Sequence, residues 1–214
     1  MGDNTEAVQH IQSPRSKVVV TGFGPFGNHY VNASWLAVQE LEKLGLREDI
    51  ELITFEIPVK YASVKTILPE LWEKHNPMLM IHVGVSGIAK SLTFEQQAHN
   101  DGYDKYDVDN CHPDSECCIE GGDQCLVSQI DMNRVVEAVN NSTKCSVQSI
   151  VSTDPGRYLC DFSFYTSLHI NRSCSAFIHV PPIAKPYSAL QLAEGIKVGI
   201  LDMLEQLNTT CECD

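Results

Sequence analysis

Apolar positions along the chain change their period at regular intervals. Residues 17–21 form a short β-branched run closed by glycines, which predicts a buried strand. Between Ala33 and Leu44 the spacing turns helical. Trp35, Val38, Leu41 and Leu44 share one stripe, Asn32 stands as an N-cap and Gly45 as the glycine beyond the last turn. A strand over about 51–59 follows, then a helix over about 63–75 carrying Val64, Ile67, Leu68 and Trp72. Residues 78–85 are nearly all apolar, the mark of a strand covered on both faces. The alternation resumes with a helix near 131–140, a strand near 147–152, a helix over about 160–168, a strand over 175–180 and a last helix over about 188–207. Strands alternating with helices predict the α/β class, as a single three-layer α/β/α sandwich with a largely parallel central sheet.

No internal repeat and no proline-rich linker divides the chain, so the expected organisation is a flexible polar leader over 1–16 and a single domain over 17–214. The exception to the pattern is the stretch 101–125. It holds eight carboxylates against one Lys105, together with Cys111, Cys117, Cys118 and Cys125, and reads as a solvated acidic surface excursion. Its cysteines are spaced x5, adjacent, then x6, whereas zinc sites favour C-x2-4-C pairs, so no metal is expected there. The acidic residues also lack the order of a calcium-binding loop.

Charge narrows the functional classes. With 15 Lys or Arg against 28 Asp or Glu the net charge is −13, which opposes binding to nucleic acid or to an anionic membrane face. The 20% of charged residues and 43% of apolar ones fit a packed core rather than a disordered chain. Residues 1–16 contain no apolar stretch of the signal-peptide kind, and no run approaches the length of a membrane span. The expected location is the cytosol, where nine cysteines are thiols or packing groups before they are disulfides.

Three motifs could carry chemistry. Gly22-x-Gly24-x-x-Gly27 follows a strand like a dinucleotide fingerprint, but Pro25, Phe26 and four further residues separate it from the helix whose N-terminus would meet the pyrophosphate. Phe23 and Phe26 suit the clamping of a flat, mostly apolar group better than a phosphate. Gly84-Val85-Ser86-Gly87 departs from the G-x-S-x-G elbow of serine hydrolases and reads as a turn where backbone can approach a ligand. The strongest signal is Cys160, just after the turn 153–157 and at the start of a helix, where the dipole favours a thiolate. A thiolate mechanism needs a base, and His179 closes the next strand. It also needs a group to orient the imidazole, for which Glu95, after the third strand, is the candidate carboxylate. Each of the three also has an ordinary structural reading, as a packing thiol, a satisfied core histidine and a surface glutamate.

Gly22-Phe23-Gly24-Pro25-Phe26-Gly27, Val31-Asn32-Ala33-Ser34, Ile81-His82-Val83-Gly84, Gly156-Arg157-Tyr158-Leu159-Cys160 and Phe177-Ile178-His179-Val180-Pro181-Pro182 together resemble the pyroglutamyl-peptidase I family, in order and spacing, over about 17–207. The resemblance implies a cysteine peptidase that removes an N-terminal pyroglutamyl residue from peptides, without cofactor or metal. It places a Glu, Cys and His triad on Glu95, Cys160 and His179, and substrate contacts on Phe23, Phe26, Asn32, Gly84, Val85 and Tyr158. Pyroglutamyl peptides are then the partners, and a monomer suffices while an oligomer stays open. An alternative is an inactive or differently specific relative that acts as a binding protein. Pro155, Asp161, Val85 and Gln96 depart from bacterial members of that family.

Overall fold

The structure is a computed structural model that describes residues 15–27 and 30–211. The described strands in chain order are β1 (Ser16–Phe23), β2 (Ile50–Ile57), β3 (Leu79–Val85), β4 (Leu92–Glu95), β5 (Gln97–His99), β6 (Cys125–Val127), β7 (Ser149–Ser152) and β8 (Ser175–Val180). The helices are α1 (Ala33–Leu44), α2 (Tyr61–His75), α3 (Met132–Asn140), α4 (Leu159–Ile170) and α5 (Ala189–Cys211). Six strands form one sheet in the order β2-β1-β3-β8-β4-β7, and β5 pairs with β6 in a separate antiparallel ribbon. β1, β2, β3 and β8 are parallel, whereas β4 is antiparallel to β8 and parallel to β7. Among the described residues no helix is long and apolar enough to cross a membrane.

The alternation of side chains along each strand sorts the core into two layers. Val18, Val20, Ile81, Val83, Ile178 and Val180 face α1, α3 and α5, where they meet Val38, Leu41, Val135 and Ile196. Val19, Met80 and Phe177 face α2 and α4, meeting Val64, Leu68, Phe162 and Phe164. Full burial of an aliphatic or aromatic side chain of this size contributes about 1.5–3 kcal/mol. The three-layer α/β/α sandwich follows from strands that are apolar on both faces.

Local chemistry fixes both ends of α1. Asn32 Oδ1 accepts from Ser34 N at 3.0 Å, and Gly45, at φ 59°, closes α1 by donating to Leu41 O and Glu42 O. A Cβ on Gly22 would lie 2.9 Å from Trp35 Cα, so this glycine serves the close approach of α1 to β1. Beneath the site, His82 joins Thr21 Oγ1 at 2.7 Å and Ser167 Oγ at 2.8 Å, and Trp72 Nε1 donates to the same Ser167 oxygen at 3.0 Å. Burial pushes the His82 pKa down to about 3, which keeps the imidazole neutral in this knot.

Two expectations need correction. The reversed strand β4 and the ribbon β5–β6 are absent from the sequence reading, because three or four residues are too few to display a period. Segment 101–125 is more than a solvated excursion, since Tyr103, Asp107 and Cys118 are buried. Tyr103 packs edge-on to Phe162 at 5.1 Å, and Cys118 Sγ lies 3.3 Å from Thr166 Oγ1. Asp107 Oδ2 accepts from Tyr61 N at 3.0 Å, capping α2 where Lys60 offers no side-chain cap. The acidic residues solvate one side of the segment while these three anchors hold the other against α2 and α4.

Candidate active site

The antiparallel pairing of β4 with β8 brings a carboxylate to a histidine. Glu95 stands opposite Phe177 and His179 opposite Thr93, so Glu95 and His179 are diagonal neighbours on the α4 face. His179 Nδ1 and Glu95 Oε1 are 2.8 Å apart, and both residues are buried. An ionised carboxylate only accepts, so Nδ1 carries the proton and Nε2 is left for the other partner, Cys160. Burial works against protonation of His179, but the charge of a Cys160 thiolate, the hydrogen bond between the two side chains and the Glu95 carboxylate outweigh it. They hold the imidazole pKa above its ordinary value.

Cys160 reaches this pair from the second residue of α4. The strand before it, β7, runs opposite to β8, so the site lies over the upper ends of β3 and β8 rather than over the end of the cysteine's own strand. The turn 153–158 carries the chain across. Asp154 Oδ1 accepts from Gly156 N at 3.1 Å and from Arg157 at 2.8 Å, and Gly156 takes φ 76°, a conformation that favours glycine. Pro155 is accommodated as a buried residue of this turn. Gly84, opposite His179 in the β3–β8 ladder, makes room for the sulfur: a Cβ there would lie 2.7 Å from Cys160 Sγ and 2.8 Å from Phe177 Cζ. The first i→i−4 bond of α4 runs from Phe162 N to Tyr158 O at 3.0 Å, and Tyr158 provides no side-chain cap. The N–H groups of Leu159, Cys160 and Asp161 therefore precede the ladder and point out of the helix end beside the sulfur.

Above Cys160 lies a narrow cleft. The β1–β3 ladder ends at Thr21 and His82 while β1 stays paired with β2 to Phe23 and Ile57, so β1 diverges from β3 and opens the space. Phe23, Phe26, Asn32, Val85 and Tyr158 line it with Cys160. Val59 and Leu159 line it too and were not anticipated, since an aliphatic residue beside a turn carries no chemical signal. Asn32 spends its carbonyl on Ser34 and donates to Gly24 O at 2.9 Å, so it shapes the wall from within. Gly84 is set against the sulfur, beneath the cleft. Tyr158 is held by its hydroxyl on Tyr106 O at 3.2 Å and by an edge-on ring contact with Tyr61 at 6.0 Å, which makes the 101–125 segment an outer support of the pocket.

A buried clip behind Cys160 escaped the sequence reading. Asp161 is completely buried; its Oδ1 accepts from His99 N at 3.0 Å and its Oδ2 from Arg157 at 3.1 Å. It ties β5, which follows Glu95 in the chain, to the helix turn that carries Cys160. Burial pushes the Asp161 carboxyl up to about 7, against the opposing pull of the His99 N–H and of Arg157. Gln96 bridges in the same manner, donating to Ser128 O at 2.8 Å and accepting from Met132 N at 3.2 Å at the start of α3.

A three-layer α/β fold that brings a thiol, an imidazole and a carboxylate together beside uncapped helix N–H groups has the parts that cysteine-type acyl transfer requires. The sequence pattern described as pyroglutamyl peptidase matches residues 16–204. "Pyroglutamyl-peptidase 1" of Rattus norvegicus is 52% identical over 196 residues, covering 91% of this chain and 92% of that protein. The Homo sapiens protein of the same name is 51% identical over 199 residues, 92% of this chain and 94% of that one. Among solved structures, a mutant pyrrolidone carboxyl peptidase from Pyrococcus furiosus superposes with a TM-score of 0.80 at 25% identity, over 89% of this chain and 99% of that one. The chain belongs to the pyroglutamyl peptidase family.

Proposed function

We propose that this protein is an exopeptidase that removes an N-terminal pyroglutamyl residue from peptides, with Cys160 as nucleophile, His179 as acid and base, and Glu95 as the group that orients His179. The observation that carries the reading is the Glu95–His179 bond at 2.8 Å in contact with a cysteine that floors an aromatic cleft. A pyroglutamyl ring is flat, small and uncharged, so Phe23, Phe26 and Tyr158 can hold it by stacking and apolar contact. The substrate has no free α-amino group, and no charged side chain lines the cleft among the described residues.

In this mechanism the Cys160 thiolate attacks the pyroglutamyl carbonyl carbon, and the carbonyl oxygen takes up the negative charge. The N–H groups at the start of α4 donate to that oxyanion, and one such donor is typically worth about 2.7–4 kcal/mol. The tetrahedral intermediate collapses with transfer of the Nε2 proton to the leaving amine, giving a thioester on Cys160 and a shortened peptide. His179 then takes a proton from water, which attacks the thioester and releases pyroglutamate, and the thiolate–imidazolium pair is restored. Glu95 keeps the proton on Nδ1 throughout. The free thiols among the described residues suit a reducing compartment, the cytosol.

Release of a fluorescent amine from a pyroglutamyl amide, under reducing conditions, tests the proposal with wild type beside Cys160→Ser and His179→Ala. Turnover by the wild type and its loss in both variants supports the reading. A folded wild type without turnover refutes the substrate assignment, and full activity in Cys160→Ser refutes the nucleophile.

A further inference from the structure

On the α1 side of the catalytic cleft lies a second cavity, of about 380 Å³. Phe26, Asn32 and Val85 line both spaces, so the two cavities are neighbours. Val31, Leu36 and Ile183 complete the far side, and none of the described residues around it is charged. Asn32, the polar member of the wall, has its amide engaged with Ser34 and Gly24. The described side chains around the cavity therefore offer mainly apolar contact. Val31 stands 62% exposed at its rim, an aliphatic surface left open beside a pocket of a size usual for small ligands.

Position identifies the occupant. The cleft over Cys160 is closed by Phe23, Val59, Tyr158 and Leu159, so a ring seated there has its scissile bond at the sulfur. The leaving amine takes its proton from His179, on β8. Ile183, on the cavity wall, follows the same strand by three residues after its end. The chain leaving the acyl pocket past His179 is thus led to this cavity.

We infer that the cavity receives the side chain of the residue that immediately follows pyroglutamate and selects apolar over charged residues there, with Val31, Leu36 and Ile183 as specificity-determining contacts. The inference rests on the pyroglutamyl-peptidase reading. A tight acyl pocket sets what is removed, and this second pocket sets from which peptides.

The test measures kcat/KM for pyroglutamyl-glycine, pyroglutamyl-leucine, pyroglutamyl-aspartate and pyroglutamyl-lysine amides with wild type, Val31→Asp and Val31→Lys. The expected result is a preference for leucine over glycine of at least tenfold, with aspartate below glycine. Val31→Asp lowers the leucine value at least fivefold and leaves the glycine value within twofold, and Val31→Lys raises the aspartate value. Equal use of leucine, glycine and aspartate by the wild type overturns the inference while leaving the peptidase reading intact, because the glycine substrate is still cleaved. A preference for lysine over leucine also overturns it. If none of the four amides is cleaved, the peptidase reading fails and takes the inference with it.

Discussion

Gly84→Ala is the substitution through which the site geometry can be tested most sharply. The added methyl would sit 2.7 Å from Cys160 Sγ and 2.8 Å from Phe177 Cζ, whereas ordinary contact begins near ~3.5 Å, so about 0.8 Å of room must be found. Phe177 cannot supply it. Its ring is fully buried between Phe164 at 5.9 Å and His179 at 4.8 Å, in a layer packed at crystal-like density. The thiol must therefore move, away from the imidazole and the acyl carbon together. Overpacking of this kind costs about 1–3 kcal/mol of stability, and a misplacement approaching 1 Å at a reacting atom costs on the order of 10²-fold in rate. Gly195→Ala is the control, because its methyl would meet Val147 Cγ2 at 2.3 Å and Leu92 Cδ1 at 2.7 Å on the opposite face of the sheet. Thermal melts, kcat/KM on a pyroglutamyl amide and the alkylation rate of Cys160 form the assay. Both variants lose stability, and Gly84→Ala alone loses about 10²-fold in kcat/KM of the folded enzyme with an altered alkylation rate. A Gly84→Ala enzyme within threefold of wild type, or no worse than Gly195→Ala, would refute the reasoning.

Other parts of the site lead to outcomes of different kinds. Glu95→Gln removes the carboxylate charge and puts an amide N–H where only acceptors stood, so the Nδ1 proton is no longer fixed and kcat should fall on the order of 10³–10⁴-fold with KM little changed; a loss under tenfold would contradict the orienting role. Phe23→Ala and Phe26→Ala should each raise KM about tenfold, the worth of roughly 1.4 kcal/mol of ring contact, and unchanged values would favour a different acyl specificity. Asp161 carries the pH dependence: its carboxyl rises from 3.8 to about 7 on folding, so between those values the folded chain holds a proton that the unfolded chain has released. Stability should accordingly fall as pH rises through that window, by at most about 4 kcal/mol, and Asp161→Asn should gain on wild type from pH ~4 to ~8. Melting curves of the two proteins that run parallel across this range would remove Asp161 as the cause.

The parallel strands and their helices were legible because each spans enough residues to show a period and ends on chemistry that a sequence displays, such as Asn32 before α1 and Gly45 after it. The proposed reactive groups stood out as candidates for a related reason: Cys160 follows a turn rich in turn formers, and His179 ends an apolar strand where a polar group stands out. Glu95 was the least secure of the three on the residues alone. Its place depends on β4 running against β8, and four residues reveal neither a strand nor its direction. The Asp161 clip was hidden because a carboxylate in the first turn of a helix ordinarily reads as a dipole-complementing surface residue, and only the fold shows that this one is buried and bonded to the His99 N–H and to Arg157. Segment 101–125 misled for the opposite reason. Its charge density describes the exposed side, while Tyr103, Asp107 and Cys118 decide where it sits.

The central claim, that an acyl group passes through Cys160, is tested most directly by rapid acid quench of the enzyme during turnover of a pyroglutamyl aryl ester, followed by the mass of the intact chain and of its peptides. The account predicts one pyroglutamyl group on the peptide containing Cys160, formed before steady state and absent from Cys160→Ala. Turnover with no acylated peptide, or with the group on any other residue, would contradict it.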